Sequence, residues 1–427
     1  MGNVKAGPTK EFFIDMITRD IQLDKAILDL IDNSIDGAKK IGNLDSKKIE
    51  IHIEKDKFEI IDNCGGFSSD IASNYAFKFG RVGLSKAENF VDYSIGRFGI
   101  GMKRTLFKLG KKFVVESRTE SEHFKISVDV DAWKDDEKSW EFDMVMCTDD
   151  NNENWKGTKI TVTQLNEDVK ESFIENTNIS LINEIGYSYA KLIKKGMKIT
   201  VNKVEAKANE VKIIMDNKIK PSIRKFKVGE VNVTIIAGIC EAKPSEAGWY
   251  IYANDRLLLM SDKSKITGWG IKNDDMSLPQ FHASKAMFRG VVFMESKDVT
   301  KLPLTTTKVG VDVDSEIYKT ILQNIGIMMK EIFIFLNKIN DKEYRNTLYL
   351  NHEHFSAFYL KEHYISKEKQ KFICLEELGI ENEKEIKISF TKPKKIVDKI
   401  KCKYNLNTNK EVGEYAFNYL VDMECLE

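Results

Sequence analysis

The segments Asp29-Leu-Ile-Asp-Asn33, Asp62-Asn-Cys-Gly-Gly66, Gly96-Arg-Phe-Gly-Ile-Gly101-Met-Lys103 and Gly157-Thr158-Lys-Ile160 stand in this order within the first 165 residues of the chain. The first lies in the run Asp20 to Lys40, where Ile27, Leu28, Ile31, Ile35 and Ala38 recur at spacings of three and four. That period predicts an amphipathic helix. Thr18 or Asp20 is placed to cap its start. Asp29 and Asn33 are four residues apart and share one helix face. A carboxylate beside an amide suits a triphosphate: the carboxylate can orient and deprotonate water, and the amide oxygen can ligate Mg²⁺. Taken alone, the pair reads more simply as a solvated polar face.

The second segment follows two runs that predict strands, Lys48 to Glu54 and Lys57 to Ile61, both alternating and rich in β-branched residues. A carboxylate at a strand end, as at Asp62, can accept a hydrogen bond from an exocyclic amine such as that of adenine. Gly65 and Gly66 allow close approach of the backbone to a flat base. The third segment places Gly96, Gly99 and Gly101 ahead of a helix-like run from Met102. Backbone N–H groups and the helix dipole make such a terminus an anion site, and Lys103 can add charge at phosphates. The spacing is neither that of Walker A nor that of the Rossmann fingerprint. The fourth segment reads as a strand start, where the Thr158 hydroxyl can bridge the Asp62 carboxylate and a base. An ordinary turn and a plain strand threonine are the simpler readings of Asp62 and Thr158 in isolation; the ordered set carries the argument.

The four segments together resemble the GHKL family of gyrase, heat-shock chaperones, histidine kinases and MutL. The resemblance implies an α+β chain that begins with a Bergerat ATP-binding fold, a mixed sheet with helices on one face. It implies Mg²⁺ and ATP as cofactors. Asp29 falls at the general-base position, Asn33 at the Mg²⁺ ligand, and Asp62 at the adenine contact. Gly66 belongs to the base-binding turn, Gly96, Gly99, Gly101 and Lys103 to the phosphate loop, and Thr158 to the second adenine contact. Residues 67–95 fall where the family has its mobile lid. One departure stands out: the family's base is usually Glu, and Asp29 is shorter by one methylene. The resemblance therefore implies slow hydrolysis or a nucleotide-gated clamp. Asp32 is a poor substitute, being three residues round the helix.

The 427 residues give room for two or three domains, with 42% hydrophobic content, normal for a chain with a sizeable core. Lys+Arg and Asp+Glu both total 66, so net charge gives no pointer to nucleic acid or membrane. The six cysteines are scattered without a C-x-x-C, which argues against a zinc site or disulfide framework and fits a reducing, cytoplasmic setting. No signal-like or membrane-length apolar run occurs. The first segment begins about thirty residues in, which leaves no preceding helix with a phosphoacceptor His and argues against the histidine-kinase branch.

After the expected ATP-binding domain (1–165), residues 166–340 alternate strand-like and helix-like segments. Val231 to Ile236, Trp249 to Tyr252 and Gly290 to Met294 predict strands, and Ser315 to Lys338 a long helix. Gly248-Trp-Tyr-Ile-Tyr-Ala-Asn-Asp-Arg256 resembles the α/β transducer domain of MutL and MORC proteins, as do Thr267-Gly-Trp-Gly270 and Pro303-Leu-Thr-Thr-Thr-Lys308-Val-Gly-Val-Asp312. That likeness implies that Lys308 reaches the γ-phosphate, where a point charge stabilises the transferring group. Arg256 reads either as a contact to the ATP-binding domain or as a surface arginine. Trp249, Tyr250 and Phe288 read as core. His352, His354 and His363 match no standard metal spacing. Residues 341–384 read as a partly helical linker. Residues 385–427 give a short strand (385–391), a helix (393–404) and a second helix (408–423). That order resembles a ribbon-helix-helix module, which dimerises and can bind DNA, and a packing hairpin is the plainer alternative.

The expected function is Mg-dependent ATP binding and slow hydrolysis that gate homodimerisation of a clamp acting on DNA, in genome maintenance or defence. The alternatives are a chaperone-like clamp on protein clients, or a non-hydrolysing ATP sensor for a partner protein.

Overall fold

A computed structural model describes residues 7–79, 92–96, 99–136, 139–148, 155–174, 177–273, 276–305, 310–339, 342–364, 368–375, 388–389 and 391–424. Lys308, residues 80–91 of the expected lid, and all but residues 388, 389 and 391 of the expected tail strand lie outside the described residues. The chain forms two compact units, Met1–Glu376 and Glu377–Glu427.

Two helices open the first unit, α1 (Lys10–Thr18) and α2 (Leu23–Ile41). The apolar stripe of α2, including Ile27, Leu28, Ile31, Ile35 and Ala38, is fully buried. Asp24 in its first turn and Lys39 and Lys40 in its last complement the helix dipole. The capping expectation is corrected: the N-cap is Gln22, without a side-chain bond. Thr18 ends α1 instead, and its hydroxyl donates to the Ile14 carbonyl at 2.8 Å. Two further helical segments border the cavity described below, α3 (Ser69–Ile71) and α4 (Gly101–Leu109). Helices α1 and α2 both pack on α4.

The first sheet is mixed. Its strands are β1 (Lys48–Ile53), β2 (Lys57–Asp62), β3 (Gly110–Arg118), β4 (His123–Asp129), β5 (Met144–Met146), β6 (Gly157–Leu165), β7 (Lys198–Val201) and β8 (Val204–Glu205). Their order is β5-β4-β3-β6-β2-β1-β7-β8, with only β1–β7 parallel. In β1, Ile49, Ile51 and Ile53 are buried while Lys48 and Glu50 are exposed, so one face of the sheet is covered. Two strands of this sheet lie beyond residue 165. Asp62 stands at the end of β2, in mid-sheet, and Gly157 and Thr158 open the adjacent β6.

Next come β9 (Lys212–Ile214), β10 (Ile219–Lys220), β11 (Ser222–Val228), β12 (Val231–Ile239), β13 (Gly248–Ala253), β14 (Arg256–Asp262), β15 (Phe288–Glu295), β16 (His354–Ser356), β17 (Lys369–Gln370) and β18 (Ile373–Cys374). Strands β14-β13-β15-β12-β11-β17 make the second sheet, in which β13 and β15 are parallel. All of β13 and nearly all of β12 and β15 are buried, the pattern of a sheet covered on both faces. Trp269 and Phe288 meet Phe333 of the helix Glu316–Leu336, Trp249 packs on Phe288, and Tyr252 and Phe293 meet Phe358 of the helix Ala357–His363. The apolar runs thus form the expected strands, and Trp249, Tyr250 and Phe288 are core.

In the second unit, helices Lys394–Tyr404 and Asn409–Glu424 are joined at Asn405, whose left-handed backbone ends the first. Glu411 accepts from the Asn407 amide at 2.6 Å and the Thr408 hydroxyl from the Glu411 amide at 3.1 Å, a reciprocal capping box. No helix among the described residues is long and apolar enough to cross a membrane.

Candidate functional site

A cavity of about 270 Å³ opens between α2, α4 and the first sheet, far more than the ~30 Å³ share of one water. Asp29, Asn33, Asp62, Gly66, Gly96, Gly99, Gly101 and Thr158 all line it. Residues spread over 130 positions of sequence therefore converge on one space. Phe67, Ile71, Tyr75 and Met102 add apolar wall, and Asp36, Lys40 and Arg104 add charge.

One end is built on Asp62, which is 4% exposed. Ser34 Oγ donates to Oδ2 at 2.6 Å, and the amides of Cys64 and Thr158 donate to Oδ1 at 2.8 and 3.2 Å. A carboxylate offers about four acceptor sites. Three are filled here among the described residues, and the group still borders the cavity. Burial pushes the Asp62 carboxyl above the ordinary aspartate range, and the three donors oppose that shift without cancelling it. The contact from Thr158 is made by its amide, where the sequence pointed to its hydroxyl. Gly157 is required by space: a Cβ there would lie 1.8 Å from the Asp62 carbonyl oxygen. At Gly66 (φ 63°) a Cβ would lie 2.5 Å from the Arg118 carbonyl oxygen, so that glycine lets the turn lie against β3 and β6.

The other end is the glycine loop. Helix α4 starts after Ile100 with no side-chain cap, so its first N–H groups border the cavity at Gly101 and Met102. Asp36 of α2 holds the loop start, accepting from the amides of Ile95 at 3.0 Å and Gly96 at 2.9 Å. Lys103 does not line the cavity. Its ammonium is buried and donates to the carbonyls of Ala76, Lys78 and Gly99, tying the chain after α3 to the glycine loop.

Between the two ends stand Asp29 and Asn33. Asn33 is exposed to the cavity, its amide able to offer an oxygen to a hard cation. Asp29 is 2% exposed and forms an ion pair with Arg104, Nη2 to Oδ2 at 2.5 Å. A Cβ on Gly101 would lie 3.0 Å from the same oxygen, so the helix terminus and the carboxylate are in near contact. The donor set suits a magnesium triphosphate with a purine base: an amine acceptor at one end, an anion-binding helix terminus at the other, a carboxylate and an amide oxygen between.

Ser34, Asp36 and Arg104 belong to this site and were not singled out by motif. Asp36 had a signal, since 29, 33, 36 and 40 share a helix face. Ser34 and Arg104 had none beyond adjacency to Asn33 and Lys103. His352 pairs through Nδ1 with Asp216 Oδ2 at 2.5 Å, away from this cavity, and no metal-holding group of His, Cys, Asp and Glu occurs among the described residues. Arg256 is buried and reaches α2, as detailed below.

Residues 21–158 match the family described as histidine kinase-, DNA gyrase B-, and HSP90-like ATPase. No curated protein matches the chain.

Proposed function

We propose that the GHKL-superfamily ATPase domain at residues 21–158 binds Mg·ATP and hydrolyses it slowly, using nucleotide occupancy to gate association of two copies of the chain. The carrying observation is the buried Asp62 acceptor facing a cavity whose far end is the uncapped start of α4. Asp62, Thr158 and Gly66 hold the adenine end, and Gly96, Gly99 and Gly101 hold the phosphates. Asn33 is the side chain that would hold Mg²⁺, whose charge offsets that of the phosphate oxygens when bound. Asp29 orients the attacking water and takes its proton. Lys103 acts through position, fixing the glycine loop from behind. Lys308 is proposed to reach the γ-phosphate from the chain after the second sheet.

The downstream sheet is read as a MORC- or MutL-like transducer (166–340), followed by a linker (341–384) and a ribbon-helix-helix-like tail (385–427). DNA is the favoured client, in genome maintenance or antiviral defence. The Asp29–Arg104 pair favours a second reading, a nucleotide sensor with little turnover, because the guanidinium occupies one oxygen of the carboxylate that would meet the water.

Solution molar mass with Mg²⁺ alone and with a non-hydrolysable ATP analogue tests the gate. Conversion of monomer to dimer only with the analogue is expected. An unchanged monomer that still binds the analogue refutes the clamp and leaves the sensor.

A further inference from the structure

We infer that the hairpin turn joining β13 to β14, with Arg256 beside it, positions both walls of the nucleotide pocket and so makes the second sheet part of the ATP site. The inference rests on the reading of that pocket as an ATP site.

Asn254 and Asp255 form a two-residue turn in which both carry positive φ (47° and 69°). This is the backbone of a type I′ hairpin, a conformation Asn and Asp tolerate best after Gly. Such turns normally face water. Here Asn254 is 3% and Arg256 is 4% exposed. Their side chains reach out of the second sheet in two directions.

Arg256 reaches α2. Its Nε donates to Asp32 Oδ1 at 3.0 Å and its Nη1 to Ser188 Oγ at 3.0 Å, with the guanidinium 5.1 Å from the Tyr189 ring centre. The Tyr189 hydroxyl, with one proton to give, lies 2.7 Å from the same Asp32 oxygen and 3.1 Å from the Leu28 carbonyl oxygen, sharing its hydrogen bond between them. Leu28 and Asp32 flank Asp29 and Asn33 on the helix, so the stretch that presents the candidate base and cation ligand is gripped by this cluster. Asp32 is fully buried, and a buried carboxylate holds its place only with its partners.

Asn254 reaches the glycine loop. Its amide donates to the carbonyls of Ser94 at 2.9 Å and Ser296 at 3.0 Å, and its oxygen accepts from the Ser296 amide at 3.0 Å. The Tyr93 amide donates to the Lys297 carbonyl at 3.2 Å. Ser94 stands two residues before Gly96, and the amides of Ile95 and Gly96 are bound by Asp36 of α2. The contacts close a ring: α2 to residues 94–96, to Asn254, to Arg256, and back to α2. A shift of the hairpin moves both the Asp29 wall and the phosphate-loop wall. By reciprocity, a nucleotide that moves residues 94–96 is felt at β13–β15.

The test uses the full chain. Asn254→Ala removes two donors without stranding a charge. Arg256→Gln and Asp32→Asn are made singly and together. ATP-analogue affinity, turnover and analogue-induced hydrogen-exchange protection of β13–β15 are read. Asn254→Ala is expected to weaken affinity or turnover by about five-fold or more, within the usual range of couplings. It is also expected to abolish protection of the second sheet that the unsubstituted chain shows. The Asp32→Asn/Arg256→Gln pair is expected to be no worse than either single change. A folded Asn254→Ala variant with smaller effects and intact protection overturns the inference, as does a double variant that shows the full product of the two single losses. If Arg256→Gln does not fold, Asn254→Ala decides alone. Failure of the unsubstituted chain to bind the analogue sinks the ATP reading and this inference together; binding with an indifferent Asn254→Ala sinks this inference only.

Discussion

Arg104→Met is the most informative single change at the pocket. Arg104 and Asp29 side chains are 4% and 2% exposed, and their ion pair is 2.5 Å long. Solvent screening is therefore minimal, and the surface-pair discount does not apply. Removing one partner of a buried pair strands the other, at a cost of about 3–5 kcal/mol. At about 2.1 cal/mol/K of unfolding entropy per residue, a unit the size of Met1–Glu376 loses about 1.3 °C per kcal/mol, so the melting temperature should fall by roughly 5 °C. Thermal denaturation followed by tryptophan fluorescence measures it. Asp29→Asn in the same chain removes the stranded charge, and the double variant should regain most of the loss, since neutral replacements of buried pairs are often near-neutral. A single variant that melts within about 2 °C of the unsubstituted chain, against the loss worked from those costs, would refute the claim that Asp29 is held as a buried ion by Arg104.

Asp62→Ala removes the buried acceptor and should weaken ATP binding about 10- to 150-fold, the worth of a charged hydrogen bond; titration with intact affinity would sink the adenine assignment. Burial raises the Asp62 carboxyl above its unfolded value, so its charge penalises the fold as pH rises from the ordinary aspartate range through the raised one, and that contribution is level above it. An ionised Asp62 is the stronger acceptor for an exocyclic amine, so ATP affinity should fall as pH drops through the raised range; affinity constant down to the ordinary aspartate range would refute this. Gly157→Ala places a methyl 1.8 Å from the Asp62 carbonyl oxygen, which forces backbone movement costing about 3 kcal/mol. A denaturation midpoint unchanged by that substitution would show that the β2–β6 contact is looser than described.

Local pattern was enough for the elements that carry the pocket. The three-and-four spacing of Ile27, Ile31 and Ile35 marks α2, and the alternation in Lys48–Ile53 marks a strand covered on one face. Asp29, Asn33, Asp62 and Thr158 then fall on one cavity because each sits at an element end or on one helix face. What escaped local reading depended on distant partners. Thr18 and Asp20 are both good caps, and nothing local says that Thr18 is the last residue of α1 and that α2 begins only after Gln22. Strand β7 joins the first sheet by pairing in parallel with β1 across about 150 residues, a crossover that leaves no local mark. Lys103 and Arg104 are adjacent and alike in charge, yet the first binds carbonyls behind the loop and the second faces Asp29. Only the helical phase of α4 within the fold decides which goes where.

The same reasoning explains why α2 is acidic on its inner side. Asp29, Asp32 and Asp36 recur at spacings of three and four, a stripe that reads as a solvated face. Two of the three are buried and the third is half-buried. Each buried carboxylate costs several kcal/mol unless paired, so the stripe is stable only if every member finds a cation or donors. Among the described residues the partners include Arg104 from α4, Tyr189 and Arg256 from two stretches beyond the first domain's motifs, and the amides of Ile95 and Gly96 from the glycine loop. A helix fixed in this way cannot be moved relative to one of these segments without straining its bonds to the others. The pocket geometry is therefore a property of both sheets together, and a fragment ending near residue 165 would hold the motifs while lacking the Arg256 and Tyr189 that secure Asp32.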